Sequence, residues 1–397
     1  MSGVPFVQPQ ALDSNSARRR LLLVFDGGNA PGYSSVAVAL TEEGSRRGYE
    51  VWAAAEGFRS LTSYTKAPLR FERLVVDREE RYRLLAQGIP TRSMGRRVLD
   101  PGSDFRSERF LEFFRREVRD EAAKAFHAHG FTHLICIGGN GTLDGLRAWL
   151  ESFDTQESGP RPQCGFINVS VDNDVSGDRA IGFLSGVEAG ATVARGLYED
   201  AYTHKRIYIL EMMGNRSGRH ALHCGVAARA HLVILPFFRF PEEVLEEIAH
   251  ALDHASHALV VVAEGYEKER RDNDYGGLNA AAFFRLQLES FGLRDRPDRR
   301  LIAEPFSRHV RGVRPLFADV AAAYLKSSLL FDAFERGESE IMPYVLASHD
   351  VGVRPIASLR REDRVERAFL PLIDRLNLPR FRAWVQAHFT SEGSSLG

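Results

Sequence analysis

Short apolar runs alternate with amphipathic stretches along most of the 397-residue chain. The runs are rich in Val, Ile and Leu and end at Gly or Asp, as strands that lead into turns do. The amphipathic stretches carry apolar residues three and four positions apart, which is the period of a helix packed on one face. This alternation is typical of βα units and predicts an α/β protein with largely parallel sheets.

The pattern predicts individual elements. Predicted strands cover residues 21–25, 131–137, 164–171, 207–211, 232–236 and 258–263. Predicted helices cover residues 33–47, 108–129, 142–151, 241–255, 278–291 and 317–335. Residues 1–18 form a polar stretch without the apolar middle of a signal peptide, and no run has the apolar length of a membrane-spanning helix.

An acidic segment, Asp172-Asn173-Asp174, follows the predicted strand at 164–171. Side chains two positions apart in an extended segment point to the same side, so we expect Asp172 and Asp174 to face one reacting group. One carboxylate could help to hold a metal ion while the other takes a proton, which is the division of labour in phosphoryl transfer. An acidic turn without function is the alternative, because Asp and Asn are common in turns.

Two glycine-rich turns, residues 26–32 and 138–143, also join predicted strands to predicted helices. Glycine lets backbone amides approach an anion, and the start of the following helix presents a positive end to the same place. We therefore expect phosphate to bind at these turns, at Gly28, Gly139, Asn140, Gly141 and Thr142. One such turn is weak evidence, whereas these turns together with the acidic segment are stronger evidence.

These segments, in this order, resemble those of the phosphofructokinase superfamily, whose members carry a GGDxPG turn, a GGDGT or GGDDT turn and a TIDND segment. Here they stand at residues 27–32, 139–142 and 170–174. Residues 211–214 are similar to the E-x-MG segment of the family, residues 260–265 to its VxxAEG segment, and residues 310–313 to the IRAVP segment of its plant-type members. The resemblance covers most of the chain.

The resemblance implies a two-domain phosphofructokinase-like fold in which each domain is a largely parallel sheet flanked by helices. It places a nucleotide- or pyrophosphate-binding domain at residues 19–183, with part of 312–345, and an acceptor domain at residues 184–311. Residues 1–18 are predicted to be a tail. Residues 346–397 are predicted to be a helical extension that packs on the second domain.

The resemblance also implies a reaction, in which Mg²⁺ assists transfer of the terminal phosphoryl group of ATP to fructose 6-phosphate or a related sugar phosphate. Asp172 is then the general base, Asp174 helps to hold Mg²⁺, and Ser170 contacts the transferring group. The residues implied for the acceptor are Met213 and Gly214 through their backbone, Glu264 for hydroxyl groups, and Arg206, Arg308 and Arg311 for a phosphate. Arg206 could come from a neighbouring subunit. Taken singly, each arginine would be a solvated surface residue.

The departures from the family pattern affect the metal and the donor. Asn140 stands where the family usually has a metal-organising Asp, and an amide is a weaker ligand for Mg²⁺ than a carboxylate. We still expect Asn140 and Asp174 at the metal. Gly141 and Val169 replace the Asp and Lys that are typical of pyrophosphate-using relatives, which favours ATP. A pyrophosphate-dependent enzyme and a non-catalytic ligand sensor are the alternatives.

The composition of the chain limits the classes of partner that we expect it to bind. The formal net charge of −1 offers no overall field for nucleic acid or a membrane surface, so we expect a small phosphorylated substrate and neither of those partners. The chain has three cysteines in apolar contexts without metal-ligand spacing, which predicts buried reduced thiols. We expect a cytoplasmic protein, and the resemblance implies a homodimer or homotetramer.

Overall fold

The computed structural model describes residues 19–64, 69–107, 110–153, 159–346, 350–363 and 365–389. The predicted tail at residues 1–18 lies outside them. The described chain forms two compact units. Unit 1 comprises the described residues of Met1–Ser170, Val175–Leu184 and Gly312–Arg361, and unit 2 comprises those of Val171–Asp174, Ser185–Arg311 and Glu362–Gly397.

The elements are numbered along the chain. The strands are Arg20–Phe25 (β1), Glu50–Phe58 (β2), Phe71–Val75 (β3), Thr91–Ser93 (β4), His133–Gly138 (β5), Gln163–Asn168 (β6), Ile207–Met212 (β7), Leu232–Ile234 (β8), Ala258–Ala263 (β9), Leu301–Pro305 (β10), Ile341–Val345 (β11) and Val351–Pro355 (β12). The helices are Tyr33–Arg46 (α1), Arg78–Ala86 (α2), Arg116–Ala128 (α3), Asn140–Leu150 (α4), Phe183–His204 (α5), Arg219–Ala227 (α6), Glu242–His254 (α7), Lys268–Asp274 (α8), Ala280–Ser290 (α9), Phe317–Glu335 (α10) and Pro379–Phe389 (α11).

Unit 1 is built on one sheet with the strand order β12-β11-β6-β5-β1-β2-β3-β4. Its central strands, from β11 to β2, pair in parallel, whereas β2 with β3 and β11 with β12 pair antiparallel. Trp149 of α4 and Phe113 are among the fully buried side chains of a core that covers this sheet. The central strands carry apolar runs, such as residues 21–25 of β1, because both faces of a parallel sheet are covered.

Unit 2 has a smaller sheet with the order β10-β7-β9-β8, in which every pair is parallel. Helix α7 shows why these segments are helical, since its buried residues Val244, Leu245, Ile248, Ala249 and Leu252 recur at helical spacing. Helix α9 begins where the Asn279 side chain accepts a hydrogen bond from the Ala282 amide. The prediction of α/β sheets that are largely parallel is confirmed.

Two predicted elements differ from the structure by three residues or more at one end. The helix predicted at 108–129 begins only at Arg116, after a 3-10 helix at Leu111–Phe114, because the chain first turns to stack Phe113 on Phe58 with ring centroids 4.2 Å apart. Residues 108 and 109 lie outside the described residues. The predicted strand at 164–171 ends at Asn168.

The C-terminal residues are also more varied than the predicted helical extension. The strand β12 pairs with β11 and belongs to unit 1, where the predicted extension had no part. The amphipathic stretch that follows forms a 3-10 helix at Arg367–Leu372, because Pro371 cannot continue an α-helix. Among the described residues after 346, only those of α11 are α-helical, and its Phe381 joins the core of unit 2.

Candidate active-site residues

The first glycine-rich turn follows β1 in unit 1, and the buried carboxylate of Asp26 connects it to the second turn. Oδ2 of Asp26 accepts a hydrogen bond of 3.2 Å from the Thr142 hydroxyl, and its carbonyl oxygen accepts one of 2.8 Å from the Tyr33 hydroxyl. Gly28 lies in the exposed part of this turn. Because β1 and β5 are neighbours, both turns lie at the carboxyl edge of one sheet, where ligands of parallel sheets bind.

The second turn is the start of helix α4. Asn140 is the first helical residue, two positions earlier than predicted, so Asn140, Gly141 and Thr142 form the first helical turn after Gly139. Thr142 is fully buried, whereas a Cβ atom on Gly141 would meet nothing within 4 Å. First-turn amides lack partners within the helix and attract anions. The backbone beside Gly141 therefore suits a phosphate group.

Ser170 lies next to this second turn, also in unit 1. A Cβ atom on Gly139 would be 3.4 Å from the Ser170 hydroxyl oxygen. The Ser170 amide donates a hydrogen bond of 2.9 Å to the carbonyl of Ile181, which fixes the backbone after β6. The structure thus brings Ser170 together with the glycine-rich turn.

Asp172, Asn173 and Asp174 form a turn that belongs to unit 2. Asn173 has a φ of 51°, a left-handed conformation that Asn adopts more readily than most residues. The predicted extended conformation of this segment is therefore wrong. Both aspartates are partly buried.

Met213, Gly214 and Glu264 come together at the carboxyl ends of β7 and β9 in unit 2. The two strands pair in register up to Met212 and Ala263, and the Glu264 amide then donates a hydrogen bond of 2.8 Å to the Met212 carbonyl. The backbone of Gly214 donates a hydrogen bond to the Glu264 carboxylate. Gly214 has a φ of 132°, so a residue with a side chain would be strained there.

The charges around Glu264 match a polar ligand with an anionic group. Burial raises the pKa of Glu264, Arg311 and Arg308 act to lower it, and the neighbouring Glu211 raises it further. Both arginines lie in the 3-10 helix Ser307–Gly312 that follows β10, the strand beside β7. Sequence and structure thus place a hydrogen-bond acceptor and two cations at one strand edge of unit 2.

Arg206 lies apart from this group. It immediately precedes β7, whereas Met213 and Gly214 follow that strand, which is six residues long. At about 3.3 Å per residue, the strand separates them by roughly 20 Å. The Arg206 guanidinium contacts Asp200 at 2.6 Å and the Tyr208 hydroxyl at 3.1 Å.

Sequence reasoning missed two buried carboxylates at strand ends. Asp26 connects the two glycine-rich turns through its hydrogen bond from Thr142, and Glu211 accepts a hydrogen bond from the Ala280 amide at the start of α9. The signal was present, since each is an acidic residue at or near the end of an otherwise apolar run. A buried carboxylate must have hydrogen-bond partners, which makes such positions structurally important.

The structure bears on the metal through its donor groups. Among the described residues, no three His, Cys, Asp or Glu side chains form a metal-binding group. Asn140 belongs to unit 1 and Asp174 to unit 2. Mg²⁺ is usually held by one or two carboxylates together with phosphate oxygens, so the carboxylate of Asp174 is a ligand type that suits it, whereas the neutral amide of Asn140 is a weaker one.

The three cysteines lie in the protein interior. Cys136, Cys164 and Cys224 are free and buried, as predicted, and burial raises the pKa of each thiol. A search of the described helices finds none that is long and apolar enough to cross a membrane.

Glycine-rich turns at the carboxyl edge of one parallel sheet, together with a carboxylate near two arginines at the edge of another, are typical of α/β proteins that bind phosphorylated ligands. Comparison with known families makes the class specific, because the phosphofructokinase family matches residues 20–323. The chain belongs to the phosphofructokinase family, as its motifs predicted. The predicted class of enzyme, a phosphotransferase with an alcohol group as acceptor, is the class that this family and the names of its curated members define.

Three similar curated proteins are named as ATP-dependent 6-phosphofructokinases. The chain is 29% identical to the ATP-dependent 6-phosphofructokinase of Aquifex aeolicus over 261 residues, which are 64% of this chain and 72% of that protein. It is 28% identical to ATP-dependent 6-phosphofructokinase 1 of Clostridium perfringens over 62% of this chain and 70% of that protein. For the ATP-dependent 6-phosphofructokinase of Chloroflexus aggregans, identity is 31% over 63% and 66%.

Solved structures share the fold. Phosphofructokinase from Saccharomyces cerevisiae superposes with a TM-score of 0.67 at 21% identity, covering 86% of this chain and 45% of the yeast chain. The pyrophosphate-dependent phosphofructokinase from Marinobacter aquaeolei gives a TM-score of 0.67 at 18% identity and covers 90% and 92% of the two chains. At these identities the likeness concerns the fold alone, and it confirms the predicted fold class.

Proposed function

We propose that this protein transfers the terminal phosphoryl group of ATP to a hydroxyl group of fructose 6-phosphate or a related sugar phosphate, with Mg²⁺. The observation that carries the proposal is the environment of Glu264, a partly buried carboxylate beside Arg308 and Arg311. A ligand with hydroxyl groups and a phosphate fits both kinds of partner, because arginine binds phosphate oxygens through its planar fork.

The acidic turn supplies the proposed proton acceptor. Asp172 takes the proton from the acceptor hydroxyl group, and Ser170 contacts the transferring phosphoryl group. Asn140 and Asp174 hold Mg²⁺, which when bound neutralises charge on the phosphates. These roles divide the chemistry as phosphoryl transfer requires, with positioning and charge neutralisation as the main contributions.

The proposed donor site lies in unit 1 and the proposed acceptor site in unit 2. Gly28, Gly139, Asn140, Gly141 and Thr142 bind the donor phosphates. The open space at Gly141 supports a donor larger than pyrophosphate, and the names of the curated relatives support ATP. The pyrophosphate-dependent neighbour shares only the fold and does not bear on the donor.

The proposed assembly is a homodimer or homotetramer. Its support is the position of Arg206 at the opposite end of β7 from Met213 and Gly214. An arginine there reaches a sugar phosphate only in the site of another subunit. The cytoplasm remains the predicted compartment.

The proposal is tested by steady-state kinetics with Mg-ATP and fructose 6-phosphate on two arginine variants. Arg311→Ala should raise KM for the sugar phosphate by about tenfold to a hundredfold and leave KM for ATP unchanged, since a charge-assisted hydrogen bond contributes about 1.5–3 kcal/mol. Arg314→Ala, at an exposed position of the same segment, is the matched control and should behave as wild type. Equal effects of both variants on the sugar phosphate, or on ATP, would contradict the assignment of Arg311.

A further inference from the structure

We propose that Arg219, held by Glu362 and Glu366, is a positioning residue that fixes the turn carrying Asp172 and Asp174. The inference deepens the proposed function and rests on it, because the turn matters for chemistry only if Asp172 is the proton acceptor. All five residues belong to unit 2.

The three carbonyl oxygens of the turn each accept a hydrogen bond from elsewhere in unit 2. The Ser217 hydroxyl donates to the carbonyl of Asp172 at 3.3 Å, and the Arg219 guanidinium donates to that of Asn173 at 2.5 Å. The backbone amide of Glu362 donates to the carbonyl of Asp174 at 2.8 Å. The turn is therefore held through its backbone carbonyl groups.

The hydrogen bond from Arg219 to the carbonyl of Asn173 stabilises the least favourable backbone conformation of the turn. Asn173 is the left-handed residue of the turn, and a non-glycine residue in that conformation persists only where its surroundings hold it. A hydrogen bond to a charged donor is about twice as strong as one between neutral groups. The guanidinium of Arg219 thus acts at the residue that sets the direction of both neighbouring side chains.

Arg219 is itself fixed by carboxylates. It is the first residue of α6, where a cation meets the positive end of the helix, and it is only 9% exposed. Its Nη2 lies 2.5 Å from a carboxylate oxygen of Glu362, and its Nε lies 3.3 Å from one of Glu366. A buried cation at the positive end of a helix is unfavourable alone, and the two carboxylates offset that cost.

The carboxylates come from a part of the chain that the family comparison does not cover. The family match ends at residue 323, whereas Glu362 and Glu366 lie in the C-terminal part of unit 2. Glu366 is in turn paired with His223 of α6, at 3.8 Å. Through Arg219, the C-terminal segment therefore supports the turn that carries the proposed proton acceptor.

Kinetics separate positioning from binding. Arg219→Ala should lower kcat by about tenfold to a hundredfold, the loss that a small displacement of a catalytic group produces, and leave KM for both substrates within about twofold. Arg219→Lys keeps the charge and one donor, so it should recover part of kcat. Glu362→Gln/Glu366→Gln keeps the side-chain size and should lower kcat in the same direction as Arg219→Ala.

Arg285→Ala is the matched control. Arg285 also donates to a backbone carbonyl, that of Leu301 at 3.0 Å, and to a carboxylate, that of Glu289 at 2.8 Å. It lies on α9 and has no contact with the acidic turn among its described hydrogen bonds. Its replacement should leave kcat unchanged. If kcat fell in this variant as well, the loss in Arg219→Ala would reflect the removal of any partly buried arginine rather than of the contact with the turn.

Hydrogen–deuterium exchange tests whether Arg219 holds the turn, and it does not depend on enzymatic activity. In Arg219→Ala, the peptide that covers residues 171–176 and the amide of Glu362 should exchange faster than in wild type, while β9 keeps its protection. A wild-type protein without turnover would contradict the proposed function, and exchange alone would then decide whether Arg219 holds the turn. Unchanged exchange in residues 171–176, or kcat that falls equally in Arg219→Ala and Arg285→Ala, would overturn the inference.

Discussion

The buried ion pair between Lys326 and Asp178 gives a sharp prediction for the stability of unit 1. Both side chains have no exposed surface, and Nζ of Lys326 lies 2.6 Å from Oδ2 of Asp178 and 2.9 Å from the carbonyl of Arg179. Oδ1 of Asp178 accepts a hydrogen bond of 3.0 Å from the Val345 amide. The pair thereby connects α10, the end of β11 and the segment just after the acidic turn.

Replacing Lys326 with Met keeps the apolar length of the side chain and leaves the buried carboxylate without its cation. Breaking such a pair from one side costs about 3–5 kcal/mol, a large part of the roughly 5–15 kcal/mol by which proteins are stable. The Lys326→Met/Asp178→Asn double variant should lose less than the sum of the single losses, by about 0.5–3 kcal/mol. Lys268→Met, from an exposed pair with Asp272, should lose less than about 1 kcal/mol.

The deficit of Lys326→Met should also depend on pH. Burial already raises the pKa of Asp178, and the charge of Lys326 is the strongest influence that opposes this rise. Without the lysine, the folded-state pKa of Asp178 lies further above its unfolded value. The stability of the variant is then fully present below the unfolded pKa and is lost as pH rises through the folded pKa. The deficit should therefore be larger at pH 8 than at pH 5.

The assay is urea unfolding followed by tryptophan fluorescence, in which Trp52 and Trp149 report on unit 1 and Trp384 on unit 2. A Trp384→Phe background isolates the transition of unit 1. If Lys326→Met lost less than about 1 kcal/mol of unfolding free energy, or if the losses in the double variant were additive, the buried pair would not stabilise unit 1 in the way that we infer.

Three further predictions concern unit 2. Burial lowers the pKa of His220 to about 4, so the unfolded chain binds a proton first and stability should fall as pH drops from about 6.5 to about 4; urea unfolding at pH 7 and 5 should show a smaller fall in His220→Gln. Gly265→Ala would place Cβ 1.7 Å from the carbonyl oxygen of Asn215 and should abolish thermal stabilisation by fructose 6-phosphate, whereas Gly196→Ala, with nothing within 4 Å, should keep it. Glu264→Gln should remove a carboxylate whose pKa is raised by burial, so calorimetry should show higher stability of the ligand-free protein at pH 8 together with weaker binding of the sugar phosphate; unchanged stability and binding would contradict the role of Glu264.

The sequence pattern predicted correctly those helices and strands that are defined by their own composition and periodicity. Helix α10 occupies the predicted residues 317–335, and β9 the predicted 258–263, because their composition and periodicity suffice to define them. The glycine-rich turns stand out because few other residues allow the backbone to approach an anion. The gathering of Met213, Gly214, Glu264, Arg308 and Arg311 in unit 2 required the resemblance as well, since no local pattern relates strands so distant in sequence.

Long-range contacts account for what the sequence did not reveal. The left-handed turn at Asn173 is held by Arg219 and Glu362, which lie 46 and 189 positions further along the chain. The strand β12 has Gly, Arg and Pro among its five residues, so it lacks the apolar run that would distinguish it from a loop before it pairs with β11. Predicting an extended Asp172 and Asp174 was reasonable from the apolar run before them, but the tertiary contacts override it.

The central claim is phosphoryl transfer from ATP with Asp172 as proton acceptor. Phosphorus NMR of the purified protein with Mg²⁺ and fructose 6-phosphate, in one tube with ATP and in another with pyrophosphate, tests it most directly. We expect a new phosphomonoester signal in the ATP tube that is lost in Asp172→Asn. Turnover only with pyrophosphate would contradict the assigned donor, and an unchanged signal in Asp172→Asn or no product in either tube would contradict the proposed reaction.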